Sequence, residues 1–177
     1  DPTNSAEVQK LITEYSELAI LSSITVVIGL VTLLSGLIYY SQSMEGSEGY
    51  AISRIGIPFA IIAISGWCIA SSLGIGTASG IIDQEIGPKM TFSINIISTI
   101  LFGFGAFFLT WASTMKDEYN KRLSTIATFA SAVVFIAEPI VPFIPEQTTL
   151  INTVTGTCFM IITIWAISIG RTMLKSN

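Results

Sequence analysis

Histidine is absent from this 177-residue chain, and charge is scarce: eight basic and twelve acidic residues make up 11% of it. Without histidine there is no histidine-ligated haem or zinc centre, and no Ser/His/Asp or Cys/His relay. The two cysteines, Cys68 and Cys158, lie in separate apolar stretches without CxxC spacing, so they read as small buried side chains. The net charge of −4 is scattered and gives no basic surface for nucleic acid. No polar stretch is long enough to bury its own core, which excludes a separate soluble domain.

The missing charge has a pattern. Stretches 18–44, 55–82, 90–115, 123–137 and 147–170 contain none. All but the fourth exceed the roughly 20 apolar residues that cross about 30 Å of hydrocarbon. The expectation is an all-α integral membrane bundle of about five hydrophobic helices, forming one domain over 1–177. The fourth segment, 123–144, is short, and Pro139, Pro142 and Pro145 end its helix. The loops fall at 41–54, where Gly46 and Gly49 break the chain, and around Asp83, Glu85, Gly87 and Pro88. Pro58 reads as a first-turn proline of the second helix.

Residues 1–17 read as an amphipathic lead-in helix. Asn4 and Glu7 suit its start, and Val8, Leu11, Ile12 and Tyr15 recur at helical spacing. It would lie among headgroups or against a neighbouring subunit. The chain begins at Asp1 without Met, which reads as a mature protein with its signal peptide cleaved and its amino end outside. Five crossings then put Arg54, Lys116, Lys121, Arg122, Arg171 and Lys175 on the cytoplasmic side, against Lys10 and Lys89 outside, as the positive-inside rule requires. The paired Tyr39 and Tyr40 suit a membrane interface.

Helices in lipid associate through close packing that small residues permit. Ladders at four-residue spacing mark helices expected to be internal or to face a partner chain: Gly66, Ala70, Gly74 and Ala78 in the second segment, beside Gly76 and Gly80. The fourth carries Ser124, Thr128 and Ala132, and the fifth Thr149, Thr153 and Thr157 beside Gly156. The first and third segments carry larger residues and are expected to face lipid or another subunit.

Chemistry-bearing residues are few. Glu138 borders apolar sequence without a basic neighbour. It reads either as a proton or cation site or as a helix-end charge reaching the interface. Gly74, Gly76 and Gly80 lack the Lys-Ser/Thr of a phosphate loop. Trp67, Trp111 and Trp165 read as core or lipid-facing rings, not a cofactor stack. No catalytic residue, cofactor or metal site is expected. The partners are the lipid bilayer and copies of this chain or other membrane subunits.

The stretch from Gly29 to Gly36, the run Arg54-Ile55-Gly56-Ile57-Pro58 and the sequence through Gly66 carry a resemblance. With the processed amino end and the amphipathic lead-in, they resemble membrane subunits of conjugation and type IV secretion machines. Both the pilins and the IncI-type small inner-membrane components are similar in plan. The resemblance implies a non-enzymatic assembly subunit of the inner membrane, of a kind that can be extracted into an extracellular pilus, and it supplies no catalytic residue. The alternatives are a small subunit of an ion-translocating complex using Glu138, and a holin-like or envelope protein.

Overall fold

The structure is a computed structural model that describes residues 14–175. Almost all of the lead-in expected over 1–17 lies outside the described residues. Five helices follow in chain order, with no strand among the described residues. They are α1 (Ser16–Ser43), α2 (Tyr50–Ala78), α3 (Ile86–Ser113), α4 (Lys121–Ala137) and α5 (Thr148–Lys175). A 3₁₀ turn, Glu138–Ile140, extends α4. With that turn counted, all five are long and apolar enough to cross a membrane. This is an all-α membrane protein. Short loops make consecutive helices antiparallel neighbours, and the packing follows that order from α1 to α5.

The buried residues repeat every three or four positions along each helix. In α2 they include Ser53, Gly56, Ala60, Ala63, Ala70 and Thr77. In α4 they are Ser124, Ala127, Ala130, Ser131 and Val134, with Glu138 one turn on. In α5 they are Ile151, Thr155, Cys158, Ile162, Trp165 and Ile169. A mean spacing of 3.5 is the seam of left-handed helix packing. These seams cross the four-residue ladders expected from sequence at Ala70 and Ser124 and otherwise lie beside them.

The third helix corrects a second expectation. It is not a lipid-facing helix but the centre of the bundle, packed on α2 along one side and α4 along another. Gly103, Gly105, Ala106 and Ala112 share its contact surface with buried Phe102 and Leu109. A Cβ on Gly105 would lie 2.8 Å from Gly56 O, and one on Gly56 would lie 2.6 Å from Gly105 O, so two backbones touch there. On the α4 side a Cβ on Gly103 would lie 2.9 Å from Phe135 N.

The ends of the helices explain the boundary differences. The α2 helix starts at Tyr50, inside the expected loop, because Tyr50 N donates to Ser47 O (3.1 Å) and Gly46, at φ +82°, turns the chain early. Pro58 therefore sits inside the helix and not in its first turn, and Arg54 O loses its helical donor. The same helix stops at Ala78. Gly80 N donates to Thr77 O (3.1 Å) and Ile81 N to Gly76 O (2.9 Å), with Gly80 at φ +72°. That is a Schellman stop, which glycine at this position permits. The α4 helix is capped by Asn120, whose Oδ1 accepts from Leu123 N at 3.1 Å. Lys121 pairs with Asp117 in the loop before it (2.6 Å) and holds that carboxyl below its usual range.

Candidate functional site

Two polar features are built into the apolar bundle. The first lies at the end where the α1–α2 loop, the α3–α4 loop and the last turns of α5 meet. Tyr39 and Tyr40 divide there: Tyr39 is exposed, and Tyr40 is buried and donates to Leu109 O at 3.0 Å. The Tyr40 ring meets the edge of Trp165 (5.7 Å between centroids) and the ring of Tyr119 (5.9 Å). Trp165 Nε1 donates to Ser113 Oγ at 3.0 Å, and Ser113 Oγ donates to Thr110 O at 2.6 Å. Ser41 and Ser53 hydroxyls share a 2.9 Å bond between α1 and α2. Lys116 Nζ ties the two loops by donating to Ser43 O at 3.1 Å. Each of these groups finds a partner, as a polar atom away from water must.

The second feature is Glu138. The α4 helix ends there because Pro139 has no N–H to give Phe135 O, and its ring blocks the next turn. Glu138 N still donates to Val134 O. Glu138 is 6% exposed, and its carboxyl lies beside the Thr155 hydroxyl of α5, which donates its proton to Ile151 O at 2.9 Å. The ion pairs among the described residues join Lys89 to Glu85, Lys116 to Glu118 and Lys121 to Asp117, and none includes Glu138. At the end of its helix, Glu138 is held within the protein and not on the bundle's outer face. The chain folds α5 back over it and covers it with protein.

The residues expected to pack the helices fall into five groups. Gly66 meets the Ser98 side chain of α3, and Ala70 is buried. A Cβ on Gly74 would lie 3.8 Å from Ser23 Oγ of α1, an ordinary contact, and Ala78 is half-buried at the helix end. Gly76 and Gly80 do not join a helix ladder, because they belong to the Schellman stop, where Ile82 covers Gly76. In α4, Ser124 is buried, whereas Thr128 and Ala132 flank the seam half-buried. In α5 the ladder is not internal to the chain: Thr149, Thr153, Gly156 and Thr157 all face outward, and a Cβ on Gly156 meets nothing within 4 Å. The 3.5-residue seam turns that face away from α4. Close-packed Gly56, Gly103 and Gly105 were missed, and the signal for them was their shared 3.5-residue register with alanine and serine.

Trp165 is buried, Trp67 half-buried and Trp111 exposed. Cys68 and Cys158 are free thiols. Comparison with protein families, curated proteins and solved structures returns no match.

Proposed function

We propose that this chain is a non-enzymatic structural membrane subunit that docks on copies of itself or on other membrane chains, in an assembly of the conjugation or type IV secretion kind. One observation carries the docking part. Leu18, Ser22, Thr25 and Gly29 of α1 follow the same 3.5-residue register as the internal seams, and all four are exposed. The apolar core of this helix has no residue buried by its own chain. A row of small and hydroxyl residues lets a second helix approach closely. The secretion setting rests on the resemblance of the first 80 residues.

The site of action is taken as a prokaryotic inner membrane, amino end out and carboxyl end in. Alternating helices bring Arg54, Lys116, Lys121, Arg122, Arg171 and Lys175 to one end of the bundle, which supports that end as the cytoplasmic one. An extracellular filament would be a later state of the same subunit.

The test is the native particle mass in mild detergent. A particle of two or more chains is expected, and Gly29→Leu is expected to reduce it to single chains with the helix content unchanged. Its Cβ has nothing within 4 Å inside the monomer, so lost folding is not the expected cause. A wild-type monomer would remove the docking reading. Deleting the gene is expected to lower transfer through the apparatus, and normal transfer would remove the secretion setting.

Glu138 supports a second reading, a proton or cation site in an ion-translocating complex. A buried carboxyl at a proline-broken helix, facing a hydroxyl and without a basic partner among the described residues, is the kind of group that such sites use. Glu138→Gln keeps the shape and the Thr155 contact. Ion flux in proteoliposomes should fall by at least about tenfold while assembly persists, because the carrier group itself is lost. Unchanged flux, or none in the wild type, leaves Glu138 a structural residue.

A further inference from the structure

The first and last helices are parallel neighbours that barely touch, and the gap between them is open to the side. A cleft of about 530 Å³ runs between α1 and α5, lined by residues including Gly36, Leu37, Tyr40, Trp165 and Gly170. Behind it a second cavity of about 460 Å³ shares Leu33, Leu37 and Trp165 and ends on Trp67, Phe102 and Phe159. Those three rings lie within 6.0 Å of one another and make a solid floor. Along α1 the lining runs from Leu30 to Tyr40, about 15 Å of helix rise. Gly36 and Gly170 both line the cleft, and a Cβ on either meets nothing within 4 Å. These two glycines bring no helices together. They leave space.

The cleft does not end in apolar residues. Tyr39 and Met173 also line a third cavity, about 230 Å³, which contains Ser43, Lys116, Glu118 and Tyr119. Lys116 Nζ lies 3.1 Å from Glu118 Oε2 and 3.1 Å from Ser43 O, which takes two of its three protons. The two charges differ in depth. The Lys116 side chain is 22% exposed, and that of Glu118 is 59% exposed. The polar end therefore offers a cation inside and an anion outside, beside an aromatic ring 5.4 Å from the Lys116 ammonium.

We infer that the cleft between α1 and α5 binds one membrane phospholipid with a zwitterionic, amine-bearing headgroup. An acyl chain lies against Trp165 and the ring floor. The phosphate meets Lys116, whose third proton can serve it as a charge-assisted donor, and the outer ammonium meets Glu118. In such a headgroup the phosphate is next to the glycerol and the amine is farther out, which is the order of Lys116 and Glu118. Phosphatidylglycerol carries the same phosphate but an uncharged glycerol farther out, and so leaves Glu118 without a cation to pair. A mainly apolar pocket with a few fixed polar groups is the usual form of a ligand site, and the position beside Tyr39 and Tyr40 suits headgroup depth. The inference stands apart from the docking proposal, which uses Leu18 to Gly29.

The test is native mass spectrometry of the full-length protein released from mild detergent, with phosphatidylethanolamine and phosphatidylglycerol of matched chains added in equal amount. One phosphatidylethanolamine per chain is expected, in about fivefold excess over phosphatidylglycerol, a difference of about 1 kcal/mol. The Gly36→Leu/Gly170→Leu double variant should lower lipid occupancy about tenfold with the unfolding temperature kept. Unchanged occupancy in that variant overturns the site, as does a second protein chain found in place of lipid. If the double variant does not fold, Glu118→Gln decides: it changes only an exposed loop carboxyl and should abolish the headgroup preference. A preference that survives Glu118→Gln, or a wild type that favours phosphatidylglycerol, overturns the assignment.

Discussion

Gly105→Leu should unfold the bundle. The reason is which atoms lie next to the missing side chain. A Cβ at this position would lie 2.8 Å from Gly56 O and 3.1 Å from Ala60 N, both backbone atoms of α2. A crowded side chain can choose another rotamer, but backbone atoms of a packed helix can only move with the helix. Inserting methylenes into an ordinary core costs about 1–3 kcal/mol. Here α2 and α3 must separate along the most extensive interface of the molecule, so a loss beyond about 3 kcal/mol is expected, against total stabilities of about 5–15. Gly105→Ala should cost about 1–3 kcal/mol by the same argument. The control is Gly156→Leu, whose Cβ meets nothing within 4 Å in the single chain, and which should shift monomer stability by about 0.5 kcal/mol or less. Denaturant titration in detergent, followed by helical circular dichroism, reads all three. A Gly105→Leu protein as stable as the wild type would mean that α2 and α3 are not in contact at this crossing.

That contrast between two helical glycines marks where the sequence could be read and where it could not. The uncharged stretches located the five helices, because a membrane removes charge from every spanning segment whatever its neighbours. They could not locate the packing faces. Small residues at four-residue spacing fit right-handed crossings of the GxxxG kind, and Thr149, Thr153 and Thr157 satisfy that spacing while facing outward. The bundle instead uses a 3.5-residue register, in which Ile151, Thr155 and Cys158 are the buried set. The third helix was misread for a related reason. It carries larger residues, although close approach depends on the Gly103, Gly105 and Ala106 set among them. Glu138 at the end of its helix was legible from the prolines. Its burial was not, because that depends on Thr155, reached only after the loop at 141–147 folds α5 back.

The polar end of the bundle was equally hidden, since its contacts join residues far apart in sequence: Tyr40 with Leu109, Ser113 with Trp165, Ser43 with Lys116. These contacts tie α1 and α5 to α3, on which neither helix packs extensively. Trp165 is therefore the residue whose loss should matter most after the backbone crossings. It is 2% exposed, donates to Ser113 Oγ, and presents its ring to Tyr40. In lipid, removing an apolar side chain loses little by transfer, because the tails are as apolar as the core. What is lost is the set of dispersion contacts around the ring, which nothing replaces when the walls cannot collapse. Trp165 also separates the two cavities between α1 and α5, so Trp165→Ala joins them into one larger void. A large aromatic truncated to alanine costs about 3–5 kcal/mol in close-packed cores, and the same range is expected here. Trp165→Phe keeps most of the ring and loses the indole donor, at about 1 kcal/mol. Unfolding of the two variants in lipid-free detergent separates packing from hydrogen bonding. If both lose the same small amount, the ring is not the wedge that holds α5 against the rest of the bundle.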